Sequence, residues 1–149
     1  MASIDIYTLI GTASLIIQIV VLILLFLGYS YKRKLKFRQH GLAMATAVVL
    51  HLVTILAIMI PSFALAVLPQ YIVPQPLMLV SLVGLIHGIT GIVAIVLGLY
   101  LVAAWGFRVD FTDCFRRKKI MPITLTVWLV ALILGIILYA IFYGPLLFG

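Results

Sequence analysis

Three polar side chains, Gln18, His51 and His87, lie inside long apolar stretches of this sequence. Ionisable groups within a membrane-spanning segment are candidate functional sites by default. His51 lies ten residues beyond Gly41, and His87 ten residues beyond Leu77, the predicted starts of their segments. At a rise of about 1.5 Å per residue, both lie about 15 Å deep from opposite ends. Because Gln18 is also near mid-segment, the sequence predicts a shared polar layer of these three residues.

The two histidines allow more than one chemistry. Neutral imidazoles on facing helices could hold a haem iron from both sides, which makes His51 and His87 candidate axial ligands of haem b. A copper ion could instead bind His40, Met44 and His87, because imidazole and thioether groups are copper ligands. The alternative is structural: the histidines hydrogen-bond to Gln18, Thr54 or a backbone carbonyl and fix the register of the helices, for roughly 1 kcal/mol or less per bond. The residues alone leave both readings open.

Acid–base chemistry within the membrane is not indicated. The acidic residues are Asp5, Asp110 and Asp113, and all three lie outside the apolar stretches, so no pair of carboxylates can form there. The single cysteine, Cys114, lies beside basic residues. Positive charge could activate its thiol, but an ordinary interfacial cysteine explains it as well. We therefore predict a protein without catalytic residues and without a soluble small-molecule substrate.

The elements that position these residues follow from composition. The chain has 149 residues, 66% of them hydrophobic and 9% charged, and a soluble domain of this size could not bury so much apolar surface. Four apolar stretches each exceed the roughly 20 residues that a helix needs to cross a bilayer. Helices are required because lipid cannot satisfy the backbone polar groups. The sequence predicts a single membrane domain, 1–149, an antiparallel four-transmembrane-helix bundle with helices at about 6–29, 41–68, 77–105 and 120–143.

Charge predicts the orientation of the bundle. All ten basic residues fall in two loops, 30–40 and 106–119, and the positive-inside rule places such loops in the cytoplasm. Both termini and the proline-rich outer loop 69–76 are then extracytoplasmic, most simply in the plasma membrane of a prokaryote. Pro61 within the second stretch predicts a bend. The basic loops could also contact anionic lipid headgroups or an acidic partner, whereas nucleic acid is not expected.

Small residues predict close helix packing. Gly84, Gly91 and Gly98 share one face of the third helix with His87, and such faces admit a neighbouring helix or a flat ligand. On the fourth helix, Trp128, Gly135 and Tyr139 align in the same way. These faces favour association within the bundle or with other integral membrane subunits.

Three segments over about residues 30–143 resemble the YozB-like four-helix membrane proteins of domain-of-unknown-function family 420. They are Arg38-Gln39-His40; Leu85-Ile86-His87-Gly88-Ile89-Thr90-Gly91 followed by Gly98; and Arg116-Arg117-Lys118-Lys119-Ile120-Met121-Pro122 before a helix with Trp128, Gly135 and Tyr139. The resemblance implies a role in the maturation of haem-copper oxidases, with histidines as suspected metal or haem ligands. His40 and His87 match family positions, and His51 does not clearly match one. Arg117 stands where many members have a histidine.

The functional hypothesis combines these points. We expect a non-enzymatic membrane subunit or assembly factor of a larger membrane metalloenzyme, such as a haem-copper oxidase, a copper-dependent membrane monooxygenase or another respiratory complex. Its expected partners are membrane lipid and other integral membrane subunits. A b-type haem electron carrier using His51 and His87, or a copper-handling protein, is the alternative.

Overall fold

The structure is a computed structural model that describes residues 6–106 and 116–148. Its main helices are α1 (Ile6–Arg33), α2 (Phe37–Thr54), α3 (Leu79–Trp105) and α4 (Ile120–Phe148). The chain stays helical beyond α2 as far as Ile72, which gives a second span of 36 residues. Four helices are thus long and apolar enough to cross a bilayer. The predicted all-helical fold is confirmed, and the protein is an integral multi-pass membrane protein.

The helices pack antiparallel in chain order. The most extensive contacts join α1 to α2 and α3 to α4, and contacts of α2 with α3 and of α1 with α4 close the ring. Short connections make such sequential helices antiparallel neighbours. Each helix therefore has two neighbours in the bundle and one face left for lipid. Large exposed apolar side chains on those outer faces include Phe26, Val53, Ile89 and Ile133.

The first basic loop is shorter than the predicted 30–40. Helix α1 runs to Arg33 and α2 begins at Phe37, so only residues 34–36 form the turn. Leu35 adopts a positive φ of 57°, and the Lys36 amide donates to the Tyr31 carbonyl at 2.9 Å. Basic residues in the last turn of α1 suit the negative end of the helix dipole. We call this end of the bundle, with residues 116–119, the basic end, and the opposite end the distal end.

The outer part of the second span is mostly π-helical. Ile55–Met59 and Phe63–Ile72 are π-helix, separated by one α-helical turn at Ile60–Ser62 that contains Pro61. A proline lacks the N–H for the regular helical bond, and wider π turns commonly occur where that ladder is interrupted. The sequence predicted that the helix ends near Leu68. Instead, Pro69 lies inside the π segment.

The distal connection is secured by one buried serine. Ser81, fully buried near the start of α3, has its Oγ 3.0 Å from the Tyr71 carbonyl and 2.8 Å from the Gln75 carbonyl. Both carbonyls also accept a backbone hydrogen bond, Tyr71 from the Gln75 amide and Gln75 from the Met78 amide, each at 3.1 Å. The hydroxyl therefore ties the connection to α3.

The buried centre of the bundle combines small and large apolar side chains. Ala47 and Ala94 are completely buried, which lets neighbouring backbones approach closely. Trp128 is the largest fully buried side chain, with 2% of its surface exposed. The cluster of buried apolar residues comprises Val21, Leu25, Ala47, Val48, Ala94, Ile95, Trp128 and Leu132.

Candidate functional site

A cavity of about 410 Å³ lies on the distal side of this core. All four helices line it, and its polar lining includes Gln18 from α1, His51 from α2 and His87 from α3. From α4 it is lined by Gly135 and Tyr139, among others. The volume falls within the range of small-molecule sites, which combine mostly apolar walls with a few polar groups. We call it the histidine cavity.

His51 is oriented by Gln18. The His51 Nδ1 atom lies 3.0 Å from the Gln18 Oε1 atom. An amide oxygen only accepts, so Nδ1 carries the hydrogen and donates it, and Nε2 keeps a lone pair. The ring is 3% exposed, and its Nε2 atom has no hydrogen-bond partner among the described residues.

His87 is oriented in the same way by the backbone of α4. Its Nδ1 atom lies 2.9 Å from the Ala131 carbonyl oxygen, so Nδ1 donates and Nε2 again keeps the lone pair. Gly135 makes room for the ring, because a Cβ atom there would lie 3.0 Å from the His87 Cε1 atom. Metal-binding histidines are commonly fixed through their second nitrogen by such an acceptor.

The two histidines contact different turns of α4. The His51 ring contacts Trp128, whereas the His87 ring reaches Ala131 and Gly135. The shared depth of Gln18, His51 and His87 stays a prediction, and the observed Gln18–His51 hydrogen bond joins two members of that layer.

Trp128 forms part of this site although the sequence reading assigned it only to packing. Its ring centroid lies 4.9 Å from that of His51, with an interplanar angle of 44°. The Trp128 Nε1 atom and the Gln18 Nε2 atom are both buried without a hydrogen-bond partner among the described residues. Its position in the sequence indicates a special role. Tryptophan in membrane spans favours the membrane interface, whereas Trp128 is well inside its span.

Hydroxyl and aromatic groups line the cavity toward the distal end. Thr12 Oγ1 donates to the Thr8 carbonyl at 2.7 Å, so its contact with the Tyr139 hydroxyl at 2.8 Å has tyrosine as the donor. The Tyr139 and Tyr143 rings are 5.0 Å apart. This arrangement places tyrosines between the histidines and the distal end.

The other predicted copper ligands lie elsewhere. His40 and Met44 line a second cavity at the basic end, whereas His87 lines the histidine cavity. His40 Nδ1 donates to the Gly28 carbonyl at 2.8 Å. The structure therefore does not bring His40 and Met44 together with His87. Across 6–106 and 116–148, no three His, Cys, Asp or Glu residues are grouped to hold a metal; Asp5, Asp110, Asp113 and Cys114 lie outside those ranges.

The predicted packing glycines differ in their surroundings. A Cβ atom at Gly98 would lie 3.0 Å from both the Trp128 ring and the Val48 side chain, so this glycine permits close packing. At Gly84 the nearest side-chain atom, in Val67, would be 3.8 Å away. At Gly91 nothing lies within 4 Å. The face thus combines a tight contact near the core with open space near His87.

Fold and site together define a four-span helical membrane protein with an internal histidine-lined cavity. Comparison of the chain with models of known families, with curated proteins and with solved structures finds no match. The functional argument therefore depends on the site itself: two histidines, each fixed through Nδ1, line one ligand-sized cavity between the four helices.

The Gln18–His51 bond leads to a direct prediction. Replacing Gln18 with leucine should lower the free energy of unfolding by about 1 kcal/mol, since hydrogen bonds between membrane helices contribute about 0.6 to 1.7 kcal/mol. Unfolding in mixed micelles, followed by circular dichroism, measures the change. The double variant Q18L/H51L should lose less than the sum of the single losses, because neither polar partner remains unpaired. Strict additivity would contradict the bond.

Proposed function

We propose that this protein is a non-enzymatic membrane subunit or assembly factor that holds a metal-bearing group for a larger membrane metalloenzyme. One observation carries the proposal: His51 and His87 are each fixed through Nδ1 and keep an Nε2 lone pair at the same cavity. Imidazole nitrogen is a favoured ligand of iron and copper. A haem-copper oxidase is named as the partner complex because the motifs in residues 30–143 imply it; no family model matches the chain.

The described residues fit such a group in two respects. The buried His51 Nε2 atom has no protein partner, and leaving a buried polar atom unpaired is costly unless something binds it. Gly135 lets the His87 ring pack against α4 in the orientation that its bond to Ala131 fixes. A bound haem iron or copper ion would supply redox chemistry. The chain itself would bind and orient that group, and the apolar walls around the cavity would exclude water.

The non-enzymatic part of the proposal rests on the kinds of side chain at the cavity. Within 6–106 and 116–148, its polar lining consists of histidine, glutamine, serine and tyrosine side chains, and these ranges contain no carboxylate to form an acid–base pair with either imidazole. Such a site can bind and position a group.

The positive-inside rule supports placing the basic end in the cytoplasm.

Purification of the tagged full-length chain from its native membranes under mild solubilisation tests the proposal. We expect other integral membrane polypeptides to co-purify, together with haem or copper in a fixed ratio to the chain. The H51A/H87A variant should lose the metal-bearing group, whereas H40A, whose ring lines the other cavity, should retain it. A lone, metal-free chain that co-purifies with nothing would contradict the proposal.

A b-type haem electron carrier is the second candidate. It is favoured by the same pair of oriented imidazoles, because two axial histidines are a common haem ligation in electron carriers. It differs from the first proposal in acting without a larger complex. The isolated chain would show a Soret band that H51A or H87A abolishes and H40A preserves. A haem-reconstituted chain that lacks the band would contradict the carrier.

A further inference from the structure

A second cavity, of about 210 Å³, lies at the basic end, separate from the proposed metal site. All four helices line it. Its mouth has the basic side chains Lys32, Arg117 and Lys118, and its interior is lined mainly by apolar residues. Trp128, also in contact with His51, lies at its inner limit. The cavity is therefore amphipathic, with positive charge at one end and an apolar interior.

Lys32 and Lys118 have no carboxylate partner among the described residues. The Lys32 ammonium group has as its hydrogen-bond partner the thioether sulfur of Met121, at 3.7 Å, and a thioether is a weak acceptor. Arg117 is held differently, with its Nε atom 3.3 Å from the Tyr100 hydroxyl and its guanidinium 5.6 Å from the Tyr100 ring centroid. Residues 6–106 and 116–148 contain no acidic side chain. An incoming anion thus meets no competing carboxylate within these ranges.

The shape limits what can enter. A volume of about 210 Å³ is too small for a whole two-chain lipid. It can take the start of one acyl chain beneath a headgroup at the mouth. The apolar walls below the mouth, including Leu25, Val48 and Leu125, favour a hydrocarbon chain over a fully polar anion.

We propose that this cavity is a binding site for an anionic phospholipid. The phosphate lies at the mouth beside Lys32 and Lys118, where charge-assisted hydrogen bonds form. One acyl chain extends into the bundle toward Trp128, and the other remains in the bilayer. Basic pockets between transmembrane helices bind anionic headgroups in this way. The site is independent of any group held at His51 and His87.

Tryptophan fluorescence tests the proposal, because the chain has only two tryptophans, Trp105 and Trp128, and both line the cavity. The W105F variant leaves Trp128 as the sole tryptophan, which is excited selectively at wavelengths that tyrosine does not absorb. The full-length chain is placed in phosphatidylcholine nanodiscs that contain increasing fractions of phosphatidylglycerol brominated along its acyl chains. We expect saturable quenching of Trp128 at low fractions. Brominated phosphatidylcholine should quench only weakly, because Trp128 is 2% exposed.

Matched charge variants separate a built site from general surface attraction. Half-buried Lys32 and exposed Lys118 line the cavity, whereas Lys34 and Lys119, which are also exposed, do not. In the W105F background, K32Q or K118Q should raise the half-quenching lipid fraction at least fivefold, since one basic residue near anionic lipid is worth about that factor. K34Q and K119Q should change it less than twofold. Equal effects in all four variants would overturn the proposal.

Two further comparisons test the acyl chain. L125F narrows the interior without altering charge and should weaken quenching by phosphatidylglycerol at least fivefold. Glycerol phosphate and inorganic phosphate, which have a phosphate but no chain, should not displace the brominated lipid at equal concentration. Displacement by either would identify a plain phosphate site and overturn the lipid assignment. Unchanged binding in a folded L125F variant, with the wild-type circular dichroism spectrum, would overturn it as well.

Discussion

Replacing Trp128 with alanine is expected to lower the free energy of unfolding by about 3 kcal/mol, the largest loss among the substitutions considered. Truncating a buried tryptophan costs about 3–5 kcal/mol in soluble cores. We expect a loss at the lower end of this range, because lipid is as apolar as the core. The loss of packing contacts is then the main contribution to the change in free energy. Trp128 contacts His51 and lies against Gly98, so its loss affects α2, α3 and α4 together. Denaturation in mixed micelles measures the change.

Ile133→Ala is the matched control for this substitution. Ile133 lies on the same helix and is 57% exposed, so lipid replaces the lost contacts and the change should stay below about 1 kcal/mol. Trp128→Phe should fall between the two, because it retains a ring and removes a buried N–H that has no partner among the described residues. Equal losses for Trp128→Ala and Ile133→Ala would show that Trp128 does not organise the bundle.

The second large effect is expected at Gly41. A Cβ atom there would lie 2.5 Å from Cζ2 of the Trp105 ring, closer than two carbon atoms can approach without displacement. Gly41→Ala should therefore destabilise the protein by about 1–3 kcal/mol, the usual cost of overpacking. Gly91→Ala is the control, because nothing lies within 4 Å of a Cβ atom at that position.

The two alanine variants should change the free energy of unfolding in opposite directions. Alanine is favoured over glycine inside a helix by about 0.5–1 kcal/mol, and at Gly91 no clash opposes that gain. Thermal unfolding of both variants in the same detergent makes the comparison. A stabilised Gly41→Ala variant would show that Trp105 can move aside at little cost and that α2 and α3 are loosely packed at the basic end.

The fold could be predicted because few alternatives exist for this sequence. Four long apolar stretches in lipid must be helices, and short connections make them antiparallel. The helix ends were harder. Their charge predicts that Lys32 and Arg33 are loop residues, yet α1 includes both. Pro69 was expected to end a helix, but π-helical turns continue past it to Ile72.

The candidate site could be predicted only at the level of which residues are polar and roughly how deep they lie. Depth follows from residue count, so Gln18 and His51 could be paired in advance. The hydrogen-bond partner of His87 could not be predicted, because it is the backbone carbonyl of Ala131. The direction of that carbonyl depends on the rotation of α4 about its axis. The basic-end cavity was also not foreseen. It depends on where Lys32 from α1 and Lys118 before α4 meet, which sequence spacing does not reveal.

The second span has a consequence for the surrounding bilayer. Its 36 helical residues would extend to at most about 54 Å at 1.5 Å per residue, against a hydrocarbon core of about 30 Å. This mismatch must be absorbed by tilt, by local thickening of the membrane or by protrusion beyond it. The π-helical turns around Pro61 and Pro69 are where the span can change direction. The cost of inserting this protein should therefore depend on membrane thickness, which would sort it toward thicker bilayers.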